Sequence, residues 1–207
     1  MLHFLTIGIV LGLSAGLIPG PLLTLVITET LQYDVKAGFK VSIVPIITDA
    51  PIIIAAFLII PQLTNFHNIL GAISIIGALF ILYMGYTSIT TQGIADFKLQ
   101  NTKPHSLTKG ILVNILSPNP YLFWFTVGTP ILAKAMSINI FTPFIFIVSF
   151  YICLVSTKIV LAILVNKSKA FLVGNLYLYT MRFFGLMLCI LAVILFLDGL
   201  NYILNSN

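Results

Sequence analysis

The chain has 207 residues, of which 59% are hydrophobic and only 7% are charged, and its net charge is +5. Soluble domains carry about 25% charged residues. This composition therefore excludes a water-soluble globular protein and indicates an integral membrane protein surrounded by the lipid bilayer. The basic residues lie in short segments between apolar runs, so their excess does not indicate nucleic-acid binding.

Six apolar runs follow one another along the chain. Each is close to the length of about 20 residues that a membrane-spanning helix needs. The sequence therefore predicts a single all-α transmembrane domain over residues 1–207, with six transmembrane helices. The runs are Phe4–Thr28, Val41–Ile60, Asn68–Thr91, Ile111–Ala133, Ile138–Val165 and Leu176–Leu204.

The basic residues between these runs are distributed asymmetrically. The first, third and fifth connections, together with the start of the last run, contain eight of them, and the opposite side contains Lys134 alone. The positive-inside rule then predicts a multi-pass protein of the cytoplasmic (inner) membrane with both termini outside. The eight residues are Lys36, Lys40, Lys98, Lys103, Lys109, Lys167, Lys169 and Arg182.

Two Pro-X-Pro triplets interrupt the first and fourth runs, Pro19-Gly20-Pro21 and Pro118-Asn119-Pro120. Proline lacks the backbone donor that a helix needs, so we expect helices 1 and 4 to be broken there. Each triplet begins a group of three helices. Because three is an odd number, the second group crosses the membrane in the opposite sense to the first, which predicts two inverted repeats over residues 1–95 and 106–207. Inverted repeats with broken helices are typical of secondary transporters. The alternative is that both triplets are kinks in a static bundle.

Asp49 and Lys158 are the charges deepest inside apolar runs. A charge at the centre of a bilayer costs about 2.5–3.5 kcal/mol on insertion scales, so it needs a partner or a hydrated cavity. We expect Asp49 to bind a substrate ammonium or a coupling proton, and Lys158 to bind a carboxylate or to neutralise Asp49 when the site is empty. The alternatives are a static ion pair between them, or a lysine that extends to the cytoplasmic surface.

The predicted breaks provide further polar groups for a substrate site near the midplane of the membrane. A helix that starts at Pro21 or Pro120 presents free N–H groups to an anion, and a helix that ends at a break presents carbonyl groups to a cation. Asn114 and Ser117 precede the second break by about one turn. Asn114 could equally form a hydrogen bond to a neighbouring helix.

Other features of the sequence indicate structural roles. Gly8, Gly12, Gly16 and Gly20 recur every four residues, a spacing that allows close helix packing. Glu29 is expected to be a solvated residue at the cytoplasmic end of helix 1.

The sequence contains no arrangement typical of an enzyme or of a cofactor or metal site. Cys153 and Cys189 lie in apolar runs without CxxC spacing, and the three histidines are scattered. Buried cysteines of this kind are usually small apolar residues of the core. No nucleotide-binding motif is present, which argues against ATP hydrolysis by this chain.

Several segments resemble the LysE/RhtB family of amino-acid exporters across the whole chain. Gly12–Pro21 resembles the family's G-x-x-x-G-x-x-P-G-P signature, and Lys109–Pro118 resembles its G-x-x-x-N-x-x-N-P motif. Ile76–Gly85 is similar to the helix-three pattern, and Gly38 and Asp49 fall where the family has a glycine and an acidic residue. The chain departs from the family pattern at Thr48, Ser117 and Asn119-Pro120, all at the predicted site.

The resemblance implies export of amino acids or related small zwitterions, driven by the proton gradient. The expected partners are this small-molecule substrate and the lipid bilayer, and a homodimer is compatible with the sequence. Three alternatives remain open: an exporter of a metal or other inorganic ion on the same scaffold, an intramembrane redox carrier, and a membrane scaffold without transport.

Overall fold

A computed structural model describes residues 1–18, 20–63, 67–90, 105–167 and 175–204, and all regular secondary structure in these ranges is helical. One short segment, Phe123–Gly128, is a π-helix. The α-helices are α1 (Leu2–Leu17), α2 (Pro21–Gln32), α3 (Val35–Ser42), α4 (Val44–Thr48), α5 (Ala50–Leu63), α6 (His67–Thr90), α7 (Ser106–Leu116), α8 (Pro118–Leu122), α9 (Thr129–Met136), α10 (Thr142–Lys167) and α11 (Asn175–Leu204).

Three stretches of the described helices are long and apolar enough to cross a membrane, Val35–Leu58, Thr142–Lys167 and Gly185–Leu204. The bent pair α1 and α2 makes a fourth when it is counted as one span. Within α6 and at α7 the described apolar helices are shorter. The chain is thus an integral membrane protein, and the number of six spans stays a prediction.

The distribution of apolar and polar side chains matches a protein that faces lipid. On α10 the exposed face contains Phe144, Val148 and Ile152, which recur every four residues. The same helix buries Ser149 and Lys158. Large exposed apolar surface of this kind is unfavourable in water but is compatible with a hydrocarbon environment.

The helices pack in extended pairs around a core of aromatic residues. α1 lies along α10, and α6 lies along α11. α3 and α4 contact α7, and α2 contacts α3, α7 and α10. Between these pairs, the buried core contains the rings of Phe123, Trp124, Phe146 and Phe150. Phe123, Trp124 and Phe150 of this core also line the cavity described below.

Both Pro-X-Pro segments coincide with helix ends. α1 ends at Leu17 and α2 begins at Pro21, with an angle of 60° between the two helices. α7 ends at Leu116, and α8 begins at Pro118. Proline is favourable at the first position of a helix, because its missing N–H would have no intrahelical partner there. Pro19 lies outside the described residues.

The glycine stripe of α1 faces α10, as its spacing predicts. A Cβ added to Gly8, Gly12 or Gly16 would clash with Ser149, with the carbonyl oxygen of Phe150 or with Thr157, respectively. Gly20 differs, since a Cβ there would meet no atom within 4 Å. The close approach of the two helices therefore depends on the first three glycines.

We predict that Gly12→Ala destabilises the protein by about 1–3 kcal/mol, the usual cost of forcing an extra carbon into a packed interface. Gly20→Ala is the matched control and should leave stability unchanged. Thermal unfolding in detergent, followed by the fluorescence of the single tryptophan, measures both variants. Equal midpoints for the two variants would contradict the packing described here.

Candidate functional site

Asp49 lies at a weak point of its helix, between α4 and α5. Pro45 and Pro51 flank it, and neither can donate a backbone hydrogen bond. The helical path still continues, because Asp49 N–H donates to the Pro45 carbonyl and Ile53 N–H donates to the Asp49 carbonyl, each over 2.9 Å. The prolines thus loosen the helix without ending it, and the carboxyl group projects from this loosened turn.

Asp49 is 5% exposed, and its carboxyl group accepts hydrogen bonds from four neutral side chains. Asn114 Nδ2 and Thr48 Oγ1 donate to Oδ1 over 2.9 and 3.2 Å. Tyr151 OH and Trp124 Nε1 donate to Oδ2 over 3.1 and 3.4 Å. The donors come from α4, α7, the π-helix and α10, so this one group connects four segments.

Asn114 joins the second break to the turn that contains Asp49. Its amide nitrogen donates to Thr48 Oγ1 over 2.6 Å as well as to Asp49. The adjacent break begins at Ser117, whose side chain accepts a hydrogen bond of 3.4 Å from the backbone of Asn119. Asn114 therefore makes the bond to a neighbouring helix that the sequence left open, and its partner is the central carboxyl group.

The π-helix at Phe123–Gly128 positions the tryptophan. In the first turns after the second break, the chain winds more widely than an α-helix, as often occurs at functional sites. The Thr129 hydroxyl donates to the Trp124 carbonyl over 3.1 Å in this wide turn. The fully buried Trp124 ring stacks on Tyr151 with a centroid distance of 6.1 Å. Trp124 and Tyr151, which are two of the four donors to Asp49, therefore stabilise each other's position by stacking.

Lys158 lies on α10, two helical turns after Tyr151, and is 4% exposed. The ion pairs in the described part of the chain join Lys109 to Glu29 and Lys134 to Asp198, so neither involves this ammonium group. No hydrogen bond of Lys158 occurs among the described residues either. In this structure Lys158 therefore forms no direct ion pair with Asp49 and does not extend to the exposed surface.

A cavity of about 280 Å³ unites most of the predicted site residues. Its volume is near the lower end of the range for small-molecule pockets, ~300–1,000 Å³. Pro118 starts α8 and is not among the lining residues, and Pro19 lies outside the described part. The predicted residues that line the cavity are Gly20, Pro21, Asp49, Asn114, Ser117, Asn119, Pro120 and Lys158.

The remaining wall of the cavity is largely apolar and was not predicted. On α6 the lining residues Phe80, Tyr83 and Met84 share one face, since they are three and four residues apart. On α10, Phe150 and Leu154 precede Lys158 at intervals of four residues. Aromatic residues at helical spacing are common in every membrane span, so the sequence alone could not assign them to a site.

A second buried acidic residue was also missed. Glu29 on α2 is 1% exposed, which contradicts the expectation of a solvated residue. Its carboxylate accepts a hydrogen bond of 2.5 Å from Ser106 Oγ and forms an ion pair of 2.8 Å with Lys109 on α7. The bond with Glu29 raises the pKa of Lys109. The pair thus links the helix after the first break to the helix before the second.

No group of three or more His, Cys, Asp or Glu side chains that could hold a metal occurs among the described residues. Cys153 and Cys189 are free thiols.

The model of the LysE type translocator family matches residues 13–199. The matched range contains both breaks, Asp49 and Lys158. No curated protein and no solved structure matches the chain.

Proposed function

Because the chain belongs to the LysE type translocator family, we propose that it is a secondary transporter that exports amino acids or related small zwitterions across the cytoplasmic membrane by proton antiport. The observation that carries this proposal is the cavity that Asp49 and Lys158 both line, since these two buried residues have opposite charges and form no ion pair with each other. A zwitterion supplies the opposite charge to both groups.

Lys158 and the start of α2 are suited to the substrate carboxylate. The side chains of a helix point back toward its N-terminus, so the Lys158 side chain extends from α10 toward the level of Leu154 and Tyr151. Gly20 and Pro21, at the N-terminus of the 12-residue α2, line the same cavity. The first N–H groups of a helix have no intrahelical acceptor and favour anions.

Asp49 is suited to the substrate ammonium and to the coupling proton. Its four neutral donors stabilise the ionised form when no cation is bound. The hydroxyl groups of Thr48 and Tyr151 can also accept, whereas the Trp124 N–H can only donate. A proton on Asp49 could therefore be directed to either hydroxyl group. A proton and an ammonium group compete for the same carboxylate, and this exclusion is what antiport needs.

We further propose that residues 1–95 and 106–207 are inverted repeats. The helix contacts support this, because a contact between one element of each half recurs between the corresponding elements when the two halves are exchanged. α1 packs on α10 of the other half, and α7 correspondingly packs on α3 and α4. With three spans in each repeat both termini lie on the same side of the membrane, and the basic residues predict that this side is the outside.

A divalent cation is a less suitable substrate for this cavity. Such a site needs several carboxylate, His or Cys ligands, and the described lining residues include one carboxyl group.

Asp49→Asn should leave the protein folded and abolish export driven by a proton gradient, because an amide cannot take up or release the coupling proton. Proteoliposomes loaded with a mixture of the twenty amino acids, with an imposed pH gradient, measure the efflux. Asp198→Asn is the matched control, since Asp198 pairs with Lys134 away from the cavity. Efflux with normal pH dependence in Asp49→Asn would exclude the proposed role.

Lys158→Met should weaken substrate binding without destabilising the folded protein. Removal of an unpaired buried ammonium group should raise the thermal midpoint, since an uncompensated charge in the membrane is costly, while substrate binding weakens at least tenfold. Quenching of Trp124 fluorescence by the same mixture without tryptophan and tyrosine reports binding. Lys167→Met, at the exposed end of α10, is the control. A fall in stability with unchanged binding would show that Lys158 is structural.

A further inference from the structure

The cavity also restricts which charge the side chain of a substrate can carry. This inference rests on the function proposed above. Among the described lining residues, Asp49 and Lys158 are the charged ones. The α-ammonium and α-carboxylate groups of an amino acid use both of them. A third charge, on the side chain of a basic or acidic amino acid, would then be buried without a counter-ion, which is strongly unfavourable.

α6 and α10 contribute an apolar part of the cavity wall. Phe150, Leu154 and Lys158 follow one another at intervals of four residues, so the apolar pair lies on the same face of α10 as the ammonium group. Phe80 and Met84 contribute a second apolar face from α6. A substrate that spans Asp49 and Lys158 therefore places its side chain against hydrocarbon and aromatic surface.

The volume of the cavity favours a large side chain over a small one. A space of about 280 Å³ is far larger than glycine or alanine requires, and these substrates would leave much of the apolar wall without contacts. In a hydrophobic pocket, a substrate that lacks one methylene group is disfavoured by about 10–200-fold relative to the substrate that has it. Larger apolar side chains gain the contacts that small ones lack.

We propose that the substrates are neutral amino acids with large apolar side chains, such as leucine, methionine and phenylalanine, and that basic and acidic amino acids are excluded. Phe80, Met84, Phe150 and Leu154 form the surface that determines this specificity.

Counterflow of radiolabelled leucine in proteoliposomes tests the proposal with the full-length wild-type protein. Unlabelled methionine and phenylalanine should compete with leucine at similar concentrations, whereas lysine, glutamate and glycine should need at least tenfold more. Competition by lysine or glutamate within threefold of that by methionine would overturn the inference and leave the proposed function intact. Absence of counterflow with every amino acid would instead overturn the proposed function, and the inference with it.

A substitution in the apolar wall provides an independent test. Met84→Glu supplies a third charge, so lysine should become a competitor at least tenfold better than it is in the wild type. Met84→Gln has a similar size without the charge and should not admit lysine. A Met84→Glu protein that folds and transports leucine, but gains no competition by lysine, would contradict the assigned wall.

Discussion

The carboxyl group of Asp49 is the point on which the centre of the molecule depends. A charge at the bilayer centre costs about 2.5–3.5 kcal/mol on insertion scales, and a hydrogen bond to a charged group contributes about 1.5–3 kcal/mol. The four donors around Asp49 therefore offset part of the cost of an ionised carboxylate in this buried site. Because these donors come from four segments, the same bonds fix where the second break, the π-helix and α10 lie around the cavity.

Lys158 and Glu29 are both buried charged residues, but they differ in whether the structure provides a partner of opposite charge. Glu29 has a cationic partner and a hydroxyl donor at short distances, which is a complete structural arrangement that joins α2 to α7. Lys158 is equally buried but has no such partner among the described residues and faces a cavity. A ligand that supplies the missing charge would offset this cost, and this difference distinguishes the proposed substrate site from the rest of the polar interior.

Residues whose chemistry is unusual for a membrane helix could be identified from the sequence. Asp49 and Lys158 are charges in apolar runs, and the proline triplets are breaks in them, so each carries its own local signal. Trp124 and Tyr151 carry none, because aromatic residues are ordinary in such helices and their position depends on a π-helix and on packing across α10. Glu29 was misjudged for a related reason. Its burial depends on Ser106 and Lys109, about 80 positions away in the chain.

The most direct test of the account is whether both charged ends of one substrate are required in the same cavity. Binding of leucine, leucinamide and N-acetylleucine to the wild-type protein, measured by Trp124 fluorescence, separates the two ends. The account predicts that leucinamide, which lacks the carboxylate, and N-acetylleucine, which lacks the ammonium group, each bind at least tenfold more weakly than leucine. Equal affinity for all three compounds would contradict a site that recognises a zwitterion through Asp49 and Lys158.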